Sequence, residues 1–134
     1  MDASRVLRRA RLMLAVGALL GLTAVAVGAF GAHALRPHLT PDRMAVFETA
    51  SRYQFYHAFG LCIAAVLSLQ RGPVRELSWA ASLFALGCVI FCGSLYALSL
   101  SGWRALGALA PVGGLCFMGG WLLVVIAAWR WRAD

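Results

Sequence analysis

From Leu12 to Leu35 the chain carries no charged side chain except the titratable His33. A helix rises about 1.5 Å per residue, so a run of that length crosses the roughly 30 Å hydrocarbon core of a bilayer. Further apolar segments follow over about 41–69, 74–100 and 105–131, joined by short polar connections. Hydrophobic residues make up 62% of the chain and charged residues only 13%, a balance that makes lipid rather than water the natural solvent. The expectation is all-α: a four-helix transmembrane bundle forming a single integral membrane domain over residues 1–134. A basic start and the Ala32-His33-Ala34 triplet also fit a cleaved signal peptide, but the run is longer than the usual core of about 7–15 residues. The sequence favours a retained first helix.

The net charge is +7, and all twelve basic residues are arginine. They are dispersed at the ends of apolar runs, which fits membrane anchoring and argues against a nucleic-acid partner. The lipid bilayer is the expected partner, and a membrane-protein partner or a second copy is compatible with the same composition. Arg5, Arg8, Arg9, Arg11, Arg71, Arg75, Arg130 and Arg132 would lie on one side, with Arg36, Arg43, Arg52 and Arg104 on the other. The excess of arginine inside predicts cytoplasmic N- and C-termini, with the first connection outside a bacterial inner membrane. Cys62, Cys88, Cys92 and Cys116 all fall in apolar segments and form no C-x-x-C pair, so they read as packing residues rather than a disulfide or zinc framework.

Small residues recur on one face of the first segment, at Gly17, Gly21, Ala24, Gly28 and Gly31. Such a stripe lets backbones approach closely in lipid and predicts a helix central to the bundle. Arg36-Pro37 ends this segment, and Thr40-Pro41-Asp42 opens the next with a cap, a proline and an acid in the first turn. Glu48 and Arg52 are spaced to pair along the second helix. Gly72-Pro73 predicts a tight turn, with Pro73 opening the third helix. In the fourth segment Pro111 predicts a kink, and Gly113 and Gly114 a close helix contact.

GAFGAHAL (28–35), FETASRYQFYHA (47–58), SLYALSLSG (94–102) and APVGGLCFMGGW (110–121) together resemble domain-of-unknown-function family 423, the YgdD-like small inner-membrane proteins. The resemblance runs over nearly the whole chain, with its motifs in order. It implies a four-helix membrane protein and implies no reaction.

Polar groups inside a membrane are costly and are functional candidates by default. Here they are His33, Glu48, Tyr53, Gln54, His57 and Tyr96. His33 and the Tyr53/Gln54/His57 turn are expected to meet near the outer interface. Two readings are open. One is a hydrogen-bond clamp tying the first two helices together. The other is a site for a small molecule, a proton or a metal. Histidines so far apart, without a close ligand pair, give no basis for assigning a metal, and no cofactor is expected. There is no G-x-S-x-G, no P-loop, no G-x-G-x-x-G and no acidic pair within the spans, so an enzyme is the least favoured class. An accessory or interaction protein of the inner membrane is preferred, with binding or transport at His33/Tyr53/His57 as the alternative.

Overall fold

The computed structural model describes residues 3–72 and 74–131. All regular structure among them is helical. α1 covers Ala3–Phe30 and runs into a π-helical turn, Gly31–Leu35. α2 covers Pro41–Arg71. α3 (Arg75–Gly87), a π-helical turn (Cys88–Cys92) and α4 (Gly93–Ser101) form one continuous rod. A 3₁₀ stretch, Arg104–Leu109, leads into α5, Ala110–Trp129. Pro73 and Arg132 lie outside the described residues, so the expected helix start at one and the basic exit at the other are not among these elements.

Local chemistry explains the boundaries. Thr40 is extended and its hydroxyl accepts from the Arg43 amide at 3.4 Å, while Pro41 occupies the first helical position, where a missing N–H costs nothing. Gly102 ends α4 in the left-handed region at φ 75°, a conformation that glycine adopts without strain. Pro111 does not kink a helix interior. It falls in the first turn of α5, and the irregularity is taken up before it by the 3₁₀ stretch.

α2 is the centre of the molecule, with α1 on one flank and the α3–α4 rod on the other; α5 packs mainly on α3. The core joins Ala50, Leu61 and Ala64 of α2 to Leu77, Ala80, Ala81 and Phe84 of α3 and to Phe117 of α5. The glycine stripe therefore does not make α1 central. A stripe of small residues needs only one close neighbour, and α2 supplies it. A Cβ at Gly17 would stand 3.0 Å from the Ala58 carbonyl oxygen, one at Gly28 would stand 3.0 Å from Ser51 Oγ, and one at Gly31 would overlap the Phe47 ring. Away from this face, Leu12, Leu19, Leu22, Val25 and Phe30 are exposed.

Three helices are long and apolar enough to cross a membrane: Ser4–Leu35, Arg75–Ser101 and Arg104–Trp129. α2 is not among them, because its first half holds Asp42, Arg43, Glu48 and Arg52. At one end of the bundle Glu76 pairs with Arg130, and the Arg71 guanidinium lies 3.8 Å over the Trp131 ring. The opposite end carries the Arg36–Glu48 ion pair at 2.8 Å.

Candidate functional site

The antiparallel contact of α1 with α2 sets the depth of every polar side chain. Gly31 abuts Phe47, Gly28 abuts Ser51, and Gly21 faces Ala58. Between these contacts sits Gln54, buried on α2. Its Nε2 donates to the Leu20 carbonyl at 2.9 Å and to Thr23 Oγ1 at 2.8 Å, both on α1. Its Oε1 accepts from the Tyr96 hydroxyl of α4 at 2.9 Å. One amide thus joins three rods, and both of its ends are satisfied. Ser51 adds a second tie, donating to the Ala24 carbonyl at 3.1 Å. Tyr96 is held by its ring as well, edge-on to Phe47 at 5.1 Å.

One turn further along α2, His57 is 5% exposed and lies flat on Phe117, with centroids 3.5 Å apart and planes 6° apart. Phe84, Tyr53 and Trp121 complete the surround at 5.6, 6.0 and 6.2 Å. Nδ1 is 2.6 Å from the Tyr53 carbonyl oxygen. A carbonyl only accepts, so Nδ1 carries the proton and the neutral ring keeps Nε2 as its acceptor. Gly87 and Gly120 make room for this aromatic group. A Cβ at Gly87 would meet the Phe117 ring, and one at Gly120 would stand 2.6 Å from the Phe84 ring.

His33 belongs to neither group. It is exposed in the π-helical turn that ends α1. His57 lies at the level of Gly21, and residue 33 is twelve positions beyond residue 21, about 18 Å along the axis. The expected His33/Tyr53/Gln54/His57 cluster therefore does not form. α2 does not start well above α1, as that cluster required; its first turns run alongside the end of α1, with Met44 and Phe47 against Gly31. Glu48 takes Arg36, not Arg52, as its ion-pair partner. Tyr53 is 40% exposed and stacks on Phe91 at 4.9 Å. Among the described residues, no three His, Cys, Asp or Glu side chains converge as metal ligands would.

The two glycines of α5 separate. A Cβ at Gly113 would lie 2.6 Å from Phe91 Cβ and 2.8 Å from Phe91 Cα, so this glycine sits against the backbone of the π-helical turn. Gly114 has nothing within 4 Å of that position and makes no helix contact, because it points away from the rod that Gly113 touches. Sequence reasoning missed Thr23, the aromatic surround of His57, and Arg43. The Arg43 Nε donates to the Ser99 carbonyl at 2.6 Å and its Nη2 to the Leu100 carbonyl, capping the end of α4.

The profile of a protein family of unknown function, DUF423, matches residues 27–114, the stretch that contains Gln54, His57, Tyr96 and Gly113. A UPF0382 membrane protein of Staphylococcus haemolyticus is 44% identical over 121 residues, covering 90% of this chain and 97% of its own. The chain belongs to the DUF423 family. Within the family it is also similar to the UPF0382 membrane protein YwdK of Bacillus subtilis, at 37% identity over 118 residues, with 88% of this chain and 96% of the relative covered. The UPF0382 inner membrane protein YgdD of Escherichia coli K12 is 39% identical over 120 residues, with coverage of 90% and 91%. No solved structure matches this DUF423 chain. The relatives' names agree with the apolar helices in making it a membrane protein.

Proposed function

We propose that this protein is a four-span accessory protein of the inner membrane, with both termini cytoplasmic, that works through contacts within the membrane and turns over no substrate. The observation that carries the reading is the Gln54 tie. The most deeply placed polar amide is consumed by bonds to Leu20, Thr23 and Tyr96, so it holds helices together and is not presented to a ligand. The four-span topology is supported by the length of the α1–α2 contact. From Gly17, beside Leu61, to Gly31, beside Phe47, it runs fourteen residues, about 21 Å. If α1 crosses the bilayer, α2 crosses beside it, its polar groups matched by α1 and α4. The cytoplasmic assignment is supported by the arginine excess at the end where Glu76 meets Arg130.

The accessory role is supported by α1, which is seated by one face and leaves Leu22 and Val25 exposed on others, at 67% and 59%. Reporter fusions after residue 134 and within the 36–40 connection test the topology; an external C-terminus overturns it. Photocrosslinkers at Leu22 and Val25, in cells, test the role. The expected product is a discrete adduct with one identified membrane protein or with a second copy. Adducts with lipid alone would overturn the role.

A further inference from the structure

α1 and α3 both lean on α2 and do not pack against each other. Between them, at the arginine-rich end, lies a groove of about 730 Å³, within the range of small-molecule sites. Its floor is Leu61, and its walls include Leu12 of α1 and Trp79 and Ala85 of α3. Arg9 and Arg75 stand at its mouth, one from each wall. Both are exposed, and neither is in an ion pair among the described residues; the nearby Glu76 is taken by Arg130. The depth is informative. The lining runs from Arg9 to Val16 on α1 and from Arg75 to Ala85 on α3, about 10 and 15 Å. That is about half of a ~30 Å hydrocarbon core, one leaflet deep.

We infer that this groove binds an anionic phospholipid, with its phosphate between Arg9 and Arg75 and one acyl chain along Leu12, Trp79 and Ala85. Two guanidinium groups at the mouth of a dry slot match a phosphate in charge and geometry. Basic pockets between transmembrane helices are a known form of lipid headgroup site. A soluble phosphate would use the mouth and leave the apolar length of the groove empty, and a polar peptide would not suit its walls. Trp79 is four residues below Arg75 in sequence, about 6 Å down the axis, where an indole sits beneath the headgroups. The inference rests on the reading that this end of the bundle lies at a membrane surface.

The test uses the full chain with Trp103, Trp121, Trp129 and Trp131 replaced by phenylalanine, leaving Trp79 as the sole fluorophore. It is reconstituted in phosphatidylcholine vesicles containing a minor fraction of acyl-brominated phosphatidylglycerol or, separately, acyl-brominated phosphatidylcholine. Quenching of Trp79 is expected to show about a tenfold preference for phosphatidylglycerol. The preference should fall to near unity in R9Q/R75Q and persist in R8Q/R11Q, which removes the same charge from α1 and nearby surface but not from the groove mouth. Equal loss in both variants, or no preference in the parent, would overturn the site in favour of diffuse surface charge. Displacement by millimolar inorganic phosphate would overturn the acyl-chain part. A Trp79→Cys variant that crosslinks to a second chain would also overturn it, since protein would then fill the groove. If neither brominated lipid quenches Trp79, the membrane placement itself is wrong, an outcome distinct from quenching without headgroup preference.

Discussion

Replacing Gln54 by leucine removes three hydrogen bonds at one point. Interhelical hydrogen bonds in membranes average about 0.6 kcal/mol and reach about 1.7. The three are unequal. The Leu20 carbonyl also accepts from Thr23 Oγ1 at 3.1 Å, and Thr23 also donates to Leu19 at 2.9 Å, so both keep partners when the amide goes. The Tyr96 hydroxyl, which donates to Gln54 Oε1, loses the acceptor it has there. An orphaned buried hydroxyl costs about 1–3 kcal/mol, so Q54L should lose about 2–4 kcal/mol in all. Y96F alone should lose about 1 kcal/mol. In the Q54L/Y96F double variant no phenol is left unpaired, so the loss should fall short of the sum by about 1–2 kcal/mol. Unfolding by sodium dodecyl sulfate in mixed micelles, followed by tryptophan fluorescence, measures all four corners of the cycle. Additive losses would mean that residues 54 and 96 do not touch, and a Q54L variant as stable as the parent would remove the tie altogether.

Gly113→Ala places a methyl group against the backbone of Phe91, which cannot swing aside, and should cost about 1–3 kcal/mol; Gly114→Ala meets open space and should be neutral or stabilising by up to about 1 kcal/mol. Equal melting temperatures for the two would refute that packing. His57→Phe should keep the stack on Phe117 and stay within about 1 kcal/mol of the parent, whereas His57→Ala should lose about 2–4 kcal/mol, read in the same detergent titration. A reversed order would mean that the imidazole nitrogens matter more than the ring. Arg43→Ala should lose about 1 kcal/mol and speed amide hydrogen exchange at residues 99–103, because the carbonyls that end α4 lose their cap. Unchanged exchange there would contradict the cap.

The sequence made the elements legible because their signals are local. Thr40-Pro41 and Gly102 mark helix ends by their own backbone chemistry, and the apolar runs show through composition. The stripe from Gly17 to Gly31 was legible as a packing face, but not its partner, since small spacing says that something approaches and not what. That is why the first helix read as central when α2 holds that place. The polar site was less legible. His33 and His57 look like a pair in sequence because both are rare intramembrane imidazoles, yet their separation depends on where α2 starts beside α1. Thr23 gave no signal, because a threonine on an apolar helix usually satisfies itself on its own backbone, as Thr23 also does through Leu19. Phe84, Phe117 and Trp121 surround His57 from two other helices, and nothing in their spacing links them to it.

The bonding of Gln54 has a consequence for the order in which the chain is made. Both amide N–H groups are satisfied within the first hairpin, by Leu20 and Thr23, and only an oxygen lone pair awaits Tyr96 from the second half. In hydrocarbon, an unmatched donor is the more expensive debt, and a carbonyl with spare acceptor capacity is tolerated better. As the ribosome delivers α1 and α2, that hairpin can therefore leave the translocon with its donors already matched. It can then wait in the bilayer until α4 arrives with the hydroxyl that completes it.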